Sequence, residues 1–152
     1  MGKKVRIPTD EEYFQYDGMH CRLIWVSLSH DWRCPVCDRT KRELLVWGKR
    51  EGSNARQYGP IGFKCGIHKH HDHGADYGLG RFPITYICGA CNNLDARLKR
   101  KLKCPEEFSF SPIELRQCLK SVRANDLIGP EDIDFDAAQQ IFMTYIETQI
   151  NW

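Results

Sequence analysis

The chain has 152 residues, enough for one compact domain with a moderate core. Hydrophobic residues make up 41% and charged residues 28%, so it reads as soluble and globular. The formal net charge of +2 excludes a general polycation, so any nucleic-acid contact has to come from local basic patches.

The opening MGKKVRIPTDEE has no apolar stretch of the kind a secretory signal needs. Arg6 stands where a myristoylation signal wants Ser or Thr. No apolar run approaches the length of a bilayer span. A cytoplasmic (intracellular) protein with no membrane partner is expected. Residues 9–19 suit a short helix capped by Thr9 or Asp10. CRLIWVS at 21–27 is apolar and fits a strand or a buried helix equally. LLVWG at 44–48 predicts a short strand, and the turn and charge signals of 48–60 predict an exposed loop. IGFKCGIH (61–68) and FPITYIC (82–88) are β-prone, with the Gly-rich GADYGLG between them; they predict a hairpin with a wide loop. A helical pattern starts near Asn92. SPIE at 111–114 is a capping box with Pro in the first turn, and predicts a helix to about Val122. NDLIGPED breaks it. A last helix carries Ala138, Ile141, Phe142, Tyr145 and Ile146 on one face, suited to core packing or a dimer surface. The whole predicts a single α+β domain over 1–152 with a C-terminal helical extension at about 109–152.

Eight cysteines in a chain without a signal sequence point to a reducing compartment, where paired cysteines more often hold metal than form disulfides. CPVC (Cys34, Cys37) and CGAC (Cys88, Cys91) are two CxxC pairs with 50 residues between them. A two-residue spacer lets both thiolates of a pair face one tetrahedral centre, and two such knuckles complete a four-cysteine structural zinc site. A closed site of that kind has no open position for catalysis. Cys21, Cys65, Cys104 and Cys118 show no paired spacing. Cys65 with His68 would make half of a second site, but a buried apolar thiol is the simpler reading.

HKHHDH at 68–73 holds four of the six histidines, more than packing alone explains. Along a strand over 63–71, His71 and His73 would face one way and His70 with Asp72 the other. A strand that ends in a turn can bring adjacent residues to one centre. Asn92 follows directly on Cys91, where a zinc knuckle would fix the start of a helix. Ligands from the strand end and the first helical turn can then converge on a metal, leaving one histidine as a base. The bland alternative is that the cluster supplies zinc ligands and nothing more.

Together the CPVC knuckle, HKHHDH and CGACN resemble the HNH, or ββα-metal, nucleases, and within them the phage recombination endonuclease VII group. The resemblance covers residues 32 to about 103 and not the flanks. It implies a small ββα-metal core with a four-cysteine structural zinc. His70, His71, Asp72 and His73 take the places of the family's metal ligand, base histidine, acid and second histidine. Asn92, 21 residues after His71, takes the place of the helix metal ligand. The implied activity is a metal-dependent DNA endonuclease that hydrolyses phosphodiester bonds to 5′-phosphate and 3′-hydroxyl ends, in a restriction, phage or defence setting. His71 would take the proton from water as base, with His73 and His68 orienting water, base or phosphate. One divalent cation on His70 and Asn92, magnesium or manganese, would neutralise charge at the phosphate. His70 is a departure, because the endonuclease VII group has Asp there. A His/Asn pair is softer and tilts the preference toward manganese, nickel, cobalt or zinc. Asp72–His73 is itself an acid–histidine pair, slipped by two residues, although the spacing to Asn92 favours His71.

Arg97, Lys99, Arg100, Lys101 and Lys103 follow Asn92 in the same expected helix and suit phosphates flanking a scissile bond. Lys41, Arg42, Lys49, Arg50 and Arg56 form a second basic set. The expected partner is double-stranded DNA. A homodimer would let two sites cut two strands. The competing readings are a non-catalytic zinc-ribbon nucleic-acid-binding module and a nuclease-like structural subunit.

Overall fold

The chain enters through a capped helix. In the computed structural model, which describes residues 4–72 and 80–150, α1 spans Asp10–Gln15. Thr9 accepts from the Glu12 N–H, and the Glu12 carboxylate accepts from the Thr9 N–H. The helix stops short of residue 19 because Gly18 takes φ +90° and leads into a 3₁₀ turn at Met19–Cys21. A Cβ on Gly18 would lie 2.4 Å from the Trp25 Cβ, so only glycine fits there. The ambiguous 21–27 stretch is helical, as α2 (Arg22–Ser27). Trp25 packs edge-on against Tyr13 and Tyr16, while Leu23 and Val26 face out. Lys41 reaches back with Nζ to the Trp25 and Leu28 carbonyls at 2.7 and 3.0 Å. A cation at that helix end satisfies carbonyls that would otherwise lack donors.

The described residues form two separate two-stranded antiparallel sheets. β1 (Val46–Lys49) pairs with β2 (Ile61–Lys64). Between them lies α3 (Gly52–Tyr58), with no buried residue. The 48–60 segment is thus exposed, as its charge predicts, but helical rather than a loop. The 61–68 stretch does not run as one strand. It breaks at Cys65–Gly66, and β3 (Ile67–His70) pairs instead with β4 (Thr85–Cys88), Ile67 opposite Cys88 and His70 opposite Thr85. The cause is local: the Cys65 N–H and C=O are both taken by the Tyr16 hydroxyl, and the Gly66 carbonyl accepts the Gly89 N–H at 2.7 Å. Those groups are no longer available to a ladder.

α4 (Gly89–Leu102) begins immediately after β4, inside the second CxxC pair and earlier than Asn92. Leu94 and Leu98, one turn apart, are fully buried. α5 (Pro112–Gln117) has the expected box between Ser111 and Glu114. It ends before Val122 because residues 118–120 bond to 132–134: the Asp134 N–H donates to the Cys118 carbonyl and the Lys120 N–H to the Asp132 carbonyl. α6 (Phe135–Ile150) buries Ala138 and Phe142, with Ile141, Tyr145 and Ile146 packed alongside. That apolar face lies against α4 and α5, with Ile141, Tyr145 and Ile146 half-buried at its margin. Phe108, Phe110, Leu115 and Phe142 share one core with Cys34, Cys37, Cys88 and Cys91. A second core holds Tyr13, Trp25, Leu45, Phe63 and Ile67, and Trp32 and Cys65 touch both. Among the described residues no helix is long and apolar enough to cross a membrane.

Since Phe110 is fully buried in the shared core, Phe110→Ala is expected to cost about 3–5 kcal/mol. Ser111→Ala, which removes only a cap, should cost about 1 kcal/mol. Urea denaturation reads both. Equal, small losses would mean that the extension does not belong to the cooperative core.

Candidate functional site

The two CxxC pairs meet. The sulfurs of Cys34, Cys37, Cys88 and Cys91 all lie within 4.8 Å of one another, and all four residues are buried. Each pair is presented by its own local structure. CPVC sits in a tight turn: the Asp38 N–H donates to the Cys34 carbonyl at 2.8 Å, the Cys34 N–H to the Arg39 carbonyl at 3.0 Å, and Asp38 takes φ 62°. CGAC sits at the joint of β4 and α4, with Cys88 at the N-cap and Cys91 in the first turn.

Four sulfurs at 2.3 Å from a tetrahedral zinc would be separated by about 3.8 Å. Cys37 Sγ and Cys88 Sγ are 3.9 Å apart, far beyond a disulfide bond. The donor set therefore fits a closed structural metal site, and zinc is the ion that four thiolates suit. The electrostatics agree. Contact with Cys34 pulls the Cys37 thiol well below its ordinary range and pushes Cys88 and Cys91 well above theirs. Four thiolates side by side need a cation to coexist. The Arg39 guanidinium supplies part of that charge: its Nε–H donates to Cys37 Sγ at 3.3 Å, and Arg39 is only 4% exposed. Nothing in the sequence pattern marked Arg39 for this place.

The histidine cluster divides. β3 ends at His70, so strand alternation does not carry through the motif. His70 is 4% exposed and stacks on Phe82 with ring centroids 5.1 Å apart. Its Nε2–H donates to the Phe110 carbonyl at 2.7 Å, which leaves Nδ1 as the ring's lone-pair nitrogen. His71 is half-buried, and its Nδ1–H donates to the Asp72 carbonyl at 3.3 Å. That tautomer makes Nε2 the basic nitrogen. Asp72 is buried and takes the Ser109 N–H on Oδ1 and the Arg81 N–H on Oδ2, at 3.1 and 3.0 Å. One N–H on each oxygen fixes the orientation of the carboxylate and leaves a second lone pair on each. His73 lies outside the described residues. His68 sits further back on β3, with its Nε2 set against Gly66 and Gly89. Burial pushes its pKa down, so it is neutral near pH 7. Asn92 is half-buried in the first turn of α4, beside the cysteine cluster.

Asp95, unmarked by any motif, joins this region. It is buried, and its Oδ1 accepts the Phe110 N–H at 2.9 Å. His70, Asp72 and Asp95 thereby hold Ser109–Phe110 against the end of β3 and the side of α4. The four candidate phosphate-binding residues split in the same way. Arg97 donates to the Ile128 carbonyl and Lys99 to the Ser109 hydroxyl, whereas Arg100 and Lys101 are exposed. In the second basic set, Lys41 caps α2, Arg42 pairs with Asp10 and Arg50 bonds the Tyr58 and Phe63 carbonyls. Only Lys49 and Arg56 of that set are exposed. Among the described residues the four cysteines are the one group of three or more His, Cys, Asp or Glu side chains placed to share an ion, and neither Cys65 nor His68 belongs to such a group. No family model, curated protein or solved structure matches the chain.

The purified chain is expected to carry about one zinc per molecule, measured by elemental analysis. A chelator or Cys91→Ser should lower its melting temperature. Melting that is indifferent to both would remove the metal centre. Burial pushes Cys65 and Cys118 each up to about 12, so at pH 8 both are protonated thiols and poor nucleophiles. Mass-mapped alkylation of the folded, metal-loaded chain should leave them unmodified. Rapid labelling would contradict the burial of Cys118, and for the half-buried Cys65 it would contradict the raised pKa.

Proposed function

We propose that the chain is a metal-dependent DNA endonuclease of the HNH type, as the resemblance implies. The observation that carries this reading is the chain order around the cysteine cluster: the β3–β4 hairpin runs directly into α4, and the CGAC knuckle sits at the joint. His70 and His71 lie at the loop end of the hairpin, where His70 pairs with Thr85, and Asn92 lies in the first turn of the helix that leaves its other end. The tautomers support the roles. Nδ1 of His70 and the Asn92 carboxamide oxygen are neutral donors for one divalent cation. The metal-binding His70 would then carry its other N–H on a carbonyl, the arrangement that orients an imidazole ligand. Nε2 of His71 is the nitrogen that takes a proton from the attacking water. A cation bound by His70 and Asn92 would supply charge neutralisation at the phosphate and the leaving 3′ oxygen. Exposed Arg100 and Lys101 suit flanking phosphates. The products would carry 5′-phosphate and 3′-hydroxyl ends, and water as nucleophile makes DNA a sufficient substrate. Restriction, phage and defence roles all fit such chemistry.

One observation favours the rival reading, a zinc-ribbon nucleic-acid-binding module or nuclease-like subunit without cleavage. His70 is almost wholly covered and already bonded to the main chain, as a purely structural histidine would be.

A plasmid assay with magnesium or manganese separates the two. The wild type should nick DNA, and His71→Ala should lose about 10²-fold or more of the rate while still shifting DNA in a gel. A wild type that binds DNA but does not cut it under any divalent metal would favour the non-catalytic module.

A further inference from the structure

We propose that the groove between the N-terminal segment and the β1–β2 sheet binds an unpaired nucleic-acid strand, with a base stacked at Trp47 and backbone phosphates on Lys4 and Lys64. This extends the nucleic-acid partner of the endonuclease reading to a second surface, and it does not rest on cleavage. The groove has a volume of about 360 Å³, within the range of small-ligand sites. Residues 4–6, 46–48, 64 and 125–127 form its walls. A stacking surface is already in use there. Trp47 and Phe63 are directly opposed across the two strands, with ring centroids 4.9 Å apart and the planes near perpendicular. Phe63 is buried, whereas Trp47 remains exposed. The Arg6 guanidinium lies over the indole, 3.5 Å from its centroid, and pairs with the Glu12 carboxylate at 2.7 Å. That pair matches the Arg6 charge, so Arg6 serves here as a flat surface. It too is exposed. Indole and guanidinium are the two kinds of plane on which unpaired bases stack.

The charge for a backbone comes from two lysines. Lys4 and Lys64 line the groove, and neither pairs with a carboxylate among the described residues. Lys64 reaches across to β1, where its Nζ donates to the Lys49 carbonyl at 2.7 Å. One N–H is thereby fixed, and two are left for phosphate oxygens. Asp126 is the one carboxylate in the lining. It pairs with Arg123 at 3.0 Å and takes the Leu127 N–H at 2.8 Å, so its charge is already matched. A neighbouring hollow that shares Trp47 is lined by Glu12 and Asp17 instead. Phosphates are repelled there, so the charge pattern directs a backbone to the lysine side of the indole. Charge and stacking together narrow the occupant. In a duplex each base has both faces covered by its neighbours, so only an unpaired strand offers a face to Trp47. An acidic peptide would satisfy the lysines and leave the planes unused.

The test compares a labelled short oligothymidylate with an abasic oligomer of the same length. The full metal-loaded chain is titrated into each without free divalent cation, and binding is read by fluorescence anisotropy, with melting to confirm the fold of every variant. The wild type is expected to bind oligothymidylate about tenfold or more tighter than the abasic oligomer. Trp47→Ala should remove that difference, and Trp47→Phe, which keeps a ring, should restore most of it. Lys64→Gln should lower the slope of log affinity against log salt by about 0.7, the share of one phosphate contact on a single strand. On duplex DNA, Trp47→Ala should bind like the wild type. If the wild type binds the abasic oligomer as tightly as oligothymidylate, the proposal falls, and that comparison needs no variant to fold. It falls equally if folded Trp47→Ala keeps the whole difference, or loses as much affinity for duplex as for the single strand. Competition by a polyglutamate peptide as effective as that by oligothymidylate would also overturn it. A plasmid assay without cleavage would end the endonuclease reading and leave each of these outcomes as stated.

Discussion

Four sulfurs within 4.8 Å of one another set the position of nearly everything else. The CPVC turn and the CGAC joint are 50 residues apart in sequence. Closing so long a loop carries an entropic cost, and a metal held by the four thiols would offset it. The cysteine cluster also fixes rotation. With Cys88 at the N-cap and Cys91 in the first turn, α4 has only one way to face. Leu94 and Leu98 then point into the core, and Asn92 and Asn93 fall on the partly exposed side of the same helix.

The second constraint is polar. The end of β3 and the flank of α4 hold the Ser109–Phe110 backbone through His70, Asp72 and Asp95, all buried. Each is bonded to the main chain, as buried polar groups must be. The C-terminal extension is therefore part of the environment of the histidines. Arg81 strengthens the tie, bonding the Ser109 carbonyl at 2.8 Å and the Glu114 carboxylate at 2.7 Å. Under the endonuclease reading, the carbonyl of Phe110 chooses which nitrogen of His70 is left for a cation.

Basic residues carry a different lesson. In the sequence they form two sets, and both look suited to phosphate. In the fold, Lys41, Arg42, Arg50, Arg97 and Lys99 bond to carbonyls, a carboxylate or a hydroxyl of their own chain. Arg100 and Lys101 stay exposed on α4, and Lys103 at its C-cap. A long cationic side chain can bond any carbonyl within reach, so its role depends on which carbonyls the fold brings near it.

The sequence by itself determined whatever depends on near neighbours. The capping boxes at Thr9–Glu12 and Ser111–Glu114 formed because cap and partner are three residues apart. The two CxxC knuckles were readable because a two-residue spacer aims two thiolates the same way, and the α6 stripe because helical periodicity is local. Only the tertiary structure decided the rest. The break at Cys65–Gly66 needed Tyr16 and Gly89, distant in sequence. The end of α5 needed residues 132–134, and the inward turn of His70 and Asp72 needed Ser109 and Phe110. In each case a backbone or side-chain polar group went to a partner that no local pattern names, because burial obliges it to bond whatever folding brings within reach.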